Sequence, residues 1–199
     1  MSGIVLDTET TGLNEPQVIE LAYQEIDQDL NPLVGALHCK RFMPSKDIEA
    51  GAFRVHGISK NQLVDMPASQ NLLRELPKIL STTYIIGHRI EYDVNAINVS
   101  TNKKIEFKTI CTKRLAYEVY DSQRSWSLVN LCTEMGLVDE SLSNKAHSAD
   151  SDVIMTTRLL THLVKTLSAR TGRIYTLDTL YDYCNSLHPM RYEDYKRKE

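Results

Sequence analysis

Two acidic residues follow a short apolar run near the start of the chain, and their spacing could support metal-ion chemistry. Ile4, Val5 and Leu6 predict a buried strand, and Asp7 and Glu9 come directly after it. Because side chains alternate faces along a strand, both carboxylates point to the same side, with Cα atoms roughly 7 Å apart. Two such carboxylates repel each other and resist burial, and a divalent cation such as Mg²⁺ or Mn²⁺ would relieve both problems. A strand that simply ends in polar residues would explain a single carboxylate, but it explains the string D-T-E-T-T-G poorly.

Two more carboxylates and a histidine occur farther along the chain. Asp93 follows an apolar strand predicted over 84–88 and would open the next helix, where capping is the alternative to metal binding. Asp152 precedes Thr156 by four residues on the apolar stripe of a long predicted helix, so it should face the sheet. His147 lies five positions before Asp152, on the approach to the same place.

The remaining pattern predicts the elements that position these side chains. Strands over 18–26 and 33–43 should form an antiparallel meander with the first strand. Alternating strands and helices follow, a helix over 69–80 should be interrupted by Pro77, and an amphipathic helix is predicted over 176–187. These elements indicate an α/β fold in which a mixed central sheet, made of the meander plus parallel strands, has helices on both faces.

Composition and charge limit the function without deciding it. The chain has 199 residues, of which 42% are hydrophobic and 25% charged, as expected of a globular domain. The net charge of −3 gives no basic field for nucleic acid, although a site that binds metal ions can meet a phosphate without one. Four scattered cysteines, the lack of a secretory signal and the lack of a long apolar run predict a cytoplasmic protein with no membrane partner.

Two strings in the first half of the chain resemble motifs of the DEDD 3′→5′ exonucleases. The string D-T-E-T-T-G at 7–12 resembles the first motif of that family. The string H-R-I-E-Y-D at 88–93 resembles the second, with Arg89 and Ile90 replacing the usual Asn and Ala. The tetrapeptide V-H-G-I at 55–58 resembles a family segment beside the nucleotide pocket, although a histidine that only caps a turn is an equally good interpretation.

The third motif indicates the branch of the family. His147 and Asp152 have the spacing of the DEDDh branch, whereas the sister branch has a Tyr where this chain has Ser148. The chain is therefore similar to the exonucleases that include the epsilon subunit of DNA polymerase III and exonuclease X. The resemblance covers about residues 3 to 167 and implies a ribonuclease H-like fold.

The resemblance also implies a mechanism and a set of roles. The protein would use two divalent cations, Mg²⁺ or Mn²⁺, to release nucleoside 5′-monophosphates from the 3′ ends of DNA, most readily single strands or frayed ends. His147 would take the proton from the attacking water. The metal ligands would be Asp7, Glu9, Asp93 and Asp152, with Asp7 shared by both ions. Substrate contacts would come from Thr10, Leu13, His56 and Arg89, although Leu13 could equally be an ordinary loop anchor.

Several alternatives stay open at this point. The same residues suit a 3′→5′ exoribonuclease that acts on RNA ends. A non-catalytic nucleic-acid-binding module on the same fold is less suitable, because a cluster of carboxylates repels phosphate. We expect an exonuclease domain over 1–168, followed by a C-terminal helix and charged tail over 169–199. Nucleic acid is the expected partner, and the sequence does not decide between a polymerase, a second copy of the chain and neither.

Overall fold

A five-stranded mixed sheet forms the centre of the part of the chain that the computed structural model describes, which is residues 3–120, 123, 125–139, 142 and 147–187. The strands are β1 (Gly3–Thr10), β2 (Val18–Ile26), β3 (Pro32–Arg41), β4 (Tyr84–Gly87) and β5 (Lys108–Cys111). Their order is β3-β2-β1-β4-β5; the first three pair antiparallel, and β4 is parallel to both β1 and β5. The predicted meander and the predicted mixed sheet are both confirmed.

Helices surround this sheet. The α-helices in the described ranges are α1 (Ala50–His56), α2 (Leu72–Glu75), α3 (Lys78–Ser81), α4 (Ile90–Thr101), α5 (Thr112–Val119), α6 (Leu128–Glu134), α7 (Ala149–Thr171) and α8 (Leu177–Ser186). Short 3₁₀ helices occupy Lys60–Leu63 and Ser69–Asn71. The helix predicted over 69–80 is divided as expected, because Pro77 ends α2 and lies at the N-cap of α3.

The central strand β1 separates two hydrophobic cores. Ile4 and Leu6 pack with residues of α2, α3 and α4, whereas Val5 packs with residues of α5, α6, α7 and α8. Because faces alternate along the strand, Asp7 and Glu9 continue the side of Val5. The helices therefore cover both faces of the sheet, as the sequence pattern predicts, and the two acidic residues project toward α7.

Two helices differ from the sequence prediction. Helix α4 begins at Ile90 and not at Asp93, because Arg89 adopts a left-handed backbone (φ 72°) and serves as the N-cap. Helix α1 was not predicted at all. It has no buried residue, so its sequence lacks the apolar stripe by which helices are recognised.

The C-terminal helix packs on the domain. Leu177, Leu180 and Cys184 of α8 join the same core as Leu167 of α7. The division that we place at residue 168 stays a prediction, and the predicted charged tail over 191–199 lies outside the described residues. Within the described ranges, no helix combines the length and the apolar character needed to cross a membrane.

Candidate active site

Asp7, Glu9 and Asp152 meet at the end of the central strand. Asp7 and Glu9 project from β1, and Asp152 lies in the first turn of α7, which crosses that face of the sheet. One carboxylate oxygen from each residue lies within 4.8 Å of the other two. Glu9 and Asp152 are buried, and Asp7 is partly exposed. Three hard oxygen donors this close together form a chemically suitable site for a divalent cation.

Asp93 approaches the same strand from the opposite face of the sheet. Its Oδ1 accepts hydrogen bonds from the Thr8 backbone N–H at 2.9 Å and from the Thr8 hydroxyl at 2.7 Å. These bonds attach α4 to β1, so the carboxylate has a tertiary role beyond capping its own helix. Asp93 lines the same cavity as Asp7 and Glu9, and its charge raises the pKa of Asp7.

The acidic residues hold protons unusually tightly in the metal-free protein. Burial raises the pKa of Glu9 to about 9, with further increases from Asp152 and Glu20. Burial likewise raises the pKa of Asp93 to about 7, against the lowering effect of its Thr8 hydrogen bonds, and that of Asp152 to about 6. The pKa of Asp7 is raised well above its ordinary value, first by burial and then by the neighbouring carboxylates. A bound cation would remove this penalty, so the residues fit a metal site.

We expect the metal-free protein to lose stability as the pH rises from about 5 to about 8. Asp152, Asp93 and Glu9 bind protons more tightly in the folded state than in the unfolded chain, where their pKa values are ordinary. Protonation therefore favours folding, and this contribution is lost as the pH rises through the folded values of about 6, 7 and 9. Calorimetry in EDTA should show a melting temperature roughly 5 °C or more lower at the higher pH. Saturating Mn²⁺ should restore it, and an unchanged or rising melting temperature in EDTA would contradict this prediction.

His147 contacts the cluster through its backbone. Its backbone N–H donates to Asp152 Oδ1 at 3.3 Å, and its side chain is exposed. Its backbone is left-handed, with φ 68°, a conformation that few residues other than glycine adopt. The sequence placed this histidine on the approach to Asp152, and the structure brings its backbone into contact with that residue.

A cavity of about 440 Å³ opens beside the acidic residues. Helix α1 forms one wall, and the start of α4 forms another. The Tyr92 hydroxyl donates to the Gly12 carbonyl at 2.8 Å and lies 2.6 Å from the hydroxyl of Thr10. The Thr10 hydroxyl also lies 3.2 Å from the Gly12 carbonyl. Since the one phenol proton goes to Gly12, the Thr10 proton is shared between that carbonyl and Tyr92, and the Thr10 oxygen keeps a lone pair with which to accept a further hydrogen bond.

The sequence-predicted substrate residues all line this cavity. Leu13 is 83% exposed, so it does not anchor its loop by burial. His56 Nδ1 accepts the Ile58 N–H at 2.9 Å, so this histidine stabilises a turn and also faces the cavity. Arg89 is exposed, as expected of a residue near a ligand path and not in the core.

Sequence patterns missed one acidic residue of the cavity. The Glu49 carboxylate lies against the backbone of Gly12, where a Cβ atom would come within 2.1 Å of its carboxyl carbon. Gly12 also has a φ of 153°, so both its backbone and its lack of a side chain are needed here. A lone acid before an unpredicted helix gives no signal of its own, and only the position of Gly12 in the first motif pointed to a close approach.

Comparison with known proteins assigns the family. A model of the exonuclease family, RNase_T, matches residues 4–160, a range that includes Asp7, Glu9, Asp93, His147 and Asp152. The chain belongs to the exonuclease family. A relative from Rickettsia typhi (strain ATCC VR-144 / Wilmington), DNA polymerase III subunit epsilon, is 30% identical over 164 residues, 76% of this chain and 69% of its own. The same subunit from Buchnera aphidicola subsp. Acyrthosiphon pisum (strain APS) is 25% identical over 189 residues, 89% of this chain and 77% of its own.

Solved structures show the same fold. Exonuclease X in complex with 5′ overhanging duplex DNA aligns with a TM-score of 0.70 at 19% identity, over 92% of this chain and 99% of that one. The zinc-bound Escherichia coli ExoI–ssDNA complex aligns with a TM-score of 0.69 at 17% identity, over 92% of this chain and 42% of that one. The ribonuclease H-like fold is thereby confirmed. As an exonuclease, the protein hydrolyses phosphodiester bonds, and the family uses divalent metal ions, for which the acidic cluster is suited.

Proposed function

We propose that this exonuclease degrades DNA in the 3′→5′ direction and releases nucleoside 5′-monophosphates. The observation that carries the proposal is the cluster of Asp7, Glu9 and Asp152 beside an open cavity large enough for a terminal nucleotide. The DNA polymerase III epsilon relatives and the DNA-bound structural neighbours support DNA as the substrate. RNA is the alternative that the experiment below separates.

The proposed ligands divide between two cations. Asp7, Glu9 and Asp152 would hold one ion, and Asp93 with the shared Asp7 would hold the second. Bound divalent cations supply Lewis-acid stabilisation of phosphate charge and make a water more acidic.

The remaining residues act directly on water and substrate. The His147 imidazole accepts a proton from the water whose oxygen attacks the terminal phosphorus, and the bond to the leaving 3′-oxygen breaks. Thr10 accepts a hydrogen bond from the terminal 3′-hydroxyl through the lone pair that Tyr92 leaves available. Leu13, exposed at the rim, packs against the terminal bases, and His56 contributes to the cavity wall.

The test is a degradation assay on substrates that differ in one feature at a time. The protein is incubated with 5′-labelled single-stranded DNA, duplex DNA or RNA, in Mg²⁺, Mn²⁺ or excess EDTA. We expect DNA single strands to shorten progressively from the 3′ end, with no cleavage in EDTA and none when the 3′ end is blocked. Activity in EDTA would contradict the metal requirement. Faster degradation of RNA than of DNA would show that RNA is the preferred substrate.

Arg89 is the proposed contact to the backbone of the substrate. It is exposed, lines the cavity and follows His88 at the end of β4, so its guanidinium is within reach of a phosphate near Asp93. We expect Arg89→Asn to raise KM roughly threefold to tenfold, the effect of one partly exposed charged contact, with little change in kcat. Asparagine is the better substitution than alanine, because it tolerates the left-handed backbone at this position.

The dependence on salt distinguishes a phosphate contact from a structural role. The slope of log KM against log salt concentration should fall by about 0.7, the value for one lost contact to a single strand. Arg74→Asn is the matched control, since Arg74 is an exposed helical arginine that does not line the cavity. An Arg89→Asn slope equal to that of the control would show that Arg89 has no contact with phosphate.

A further inference from the structure

Glu20 is a buried carboxylate near the candidate site but outside the acidic cluster. It lies on β2 directly opposite Glu9 on β1 and directly opposite Arg41 on β3. Opposed residues of antiparallel strands project to the same face, so the three side chains form a row across the sheet. Like charges at opposed positions destabilise a strand pair. Glu20 therefore adds to the charge repulsion at the acidic end of β1, so other contacts must stabilise it there.

Both oxygens of Glu20 have defined partners. Oε1 accepts from Arg41 Nε at 2.8 Å, and Oε2 accepts from the Ala149 backbone N–H at 3.1 Å. Ala149 is the first residue of α7, so its N–H is one of the amides that find no acceptor within the helix. The hydroxyl of the N-cap residue, Ser148, bonds the hydroxyl of Ser151 in the same turn at 2.9 Å. Glu20 thus supplies, from the sheet, an acceptor for one of these unpaired helix amides.

The helical turn that Glu20 holds is the one that carries Asp152. The Asp152 backbone N–H donates to the Ser148 carbonyl at 3.0 Å, and its Oδ1 accepts from the His147 N–H at 3.3 Å. The start of α7, Asp152 and the backbone of His147 are therefore one connected unit. A hydrogen bond from Glu20 ties this unit to β2, directly opposite the strand residue with which Asp152 shares the candidate cation site.

We propose that Glu20, oriented by Arg41, is a positioning residue that holds the first turn of α7 and so keeps Asp152 within ligand distance of Glu9. This inference rests on the proposed function, in which Asp152 is a cation ligand. Glu20 acts through a hydrogen bond to backbone and not as a ligand, because both of its oxygens are directed at other groups. In this role Glu20 needs an oxygen that accepts from the Ala149 N–H, and it does not need a negative charge. Substitutions that keep or remove that oxygen can distinguish the two.

Three measurements on Glu20→Ala test the proposal. The Mn²⁺ affinity, measured by calorimetry without substrate, should weaken roughly 10- to 100-fold, the usual effect of losing a group that orients a ligand. The kcat should fall by a similar factor, while KM for single-stranded DNA stays within about twofold. Amide exchange of the Ala149 N–H, followed by NMR in the metal-free protein, should accelerate because its acceptor is gone.

The conservative variant separates positioning from charge. Glu20→Gln keeps one carbonyl oxygen for Ala149, and the half-exposed Arg41 can turn toward solvent. Mn²⁺ affinity and kcat should therefore stay within about threefold of the wild type. If Glu20→Gln weakens Mn²⁺ binding as much as Glu20→Ala does, Glu20 acts through its charge or as a ligand, and the proposal is overturned. Wild-type Mn²⁺ affinity and kcat in Glu20→Ala would overturn it too.

Two further variants complete the design. Glu25→Ala is the matched control, because Glu25 lies on the same strand and pairs with Lys78 at 2.6 Å but is opposed to Ile4, and so projects to the face of the sheet away from Glu20. It should change none of the three measurements.

Arg41→Ala should change Mn²⁺ affinity, kcat and the exchange of the Ala149 amide in the same directions as Glu20→Ala, but by less. This variant serves as the test if Glu20→Ala does not fold, and wild-type values for it would overturn the proposal. If the wild type fails to degrade DNA, the proposed function fails, while Mn²⁺ affinity and amide exchange still test the role of Glu20.

Discussion

Replacing Asp7 with alanine should reduce turnover by roughly 10³-fold or more, the largest effect that we expect from one substitution. Asp7 contributes to the cluster with Glu9 and Asp152 and also lies beside Asp93, so its loss affects both proposed cations. The same change should raise the melting temperature of the metal-free protein. Every charged neighbour that acts on Asp7 is another carboxylate, and removing one member of the group relieves the repulsion among the rest.

The two expected effects have opposite signs, which makes the Asp7→Ala variant a sharp test. Steady-state kinetics in Mg²⁺ and thermal melts in EDTA should be measured on the same preparations. Asp150→Ala is a suitable control, since it removes an acidic residue from the same turn as Asp152 but outside the cluster. A melting temperature of Asp7→Ala well below that of the wild type would show that Asp7 is structural.

Replacing His147 with asparagine should lower kcat by on the order of 10²- to 10⁴-fold, the range for a general base. Mn²⁺ affinity should be nearly unchanged, because the carboxylates remain and the backbone N–H that contacts Asp152 is present in every variant. Calorimetric Mn²⁺ titration and steady-state kinetics check the two statements separately.

The left-handed backbone of His147 is the reason for substituting asparagine and for comparing that variant with His147→Ala. Alanine at a φ of 68° introduces strain, whereas asparagine tolerates that region, so a loss shared by both variants reports on the imidazole. Near-normal turnover in His147→Asn would remove the general-base role. Weakened Mn²⁺ binding in both variants would instead show that the side chain is a ligand or a support for Asp152.

Local periodicity predicted most of the fold. The strand predicted over 18–26 matches β2, and the predicted stripe of α7, from Thr156 to Leu167, is buried throughout. These elements form because their apolar residues repeat with the period of the structure. Helix α1 was missed for the converse reason, since none of its residues is buried. The start of α4 was misplaced because the left-handed turn at Arg89 has no signal in an arginine.

The candidate site likewise contains residues that local sequence patterns could predict and one that they could not. Asp7 and Glu9 could be assigned to one face from their spacing on a strand, and Asp152 from its position relative to Thr156. Glu20 could not, because its partners are Arg41 on the next strand and the amide of Ala149, 129 residues away. In the sequence it is simply an acid within an apolar strand, and only the three-dimensional arrangement shows what its oxygens contact.

Because α1 is exposed, one wall of the cavity can change its sequence without affecting the folding of the domain. The residues proposed to hold the metal ions belong to β1, α4 and α7, whose apolar side chains contribute to the two cores, so changes there endanger the whole domain. Helix α1 forms a wall of the same cavity yet contributes no buried residue. Substitutions at its exposed positions therefore cost little stability. Substitutions in α1 can therefore reshape this wall of the cavity while the acidic cluster and the stability of the domain stay as they are.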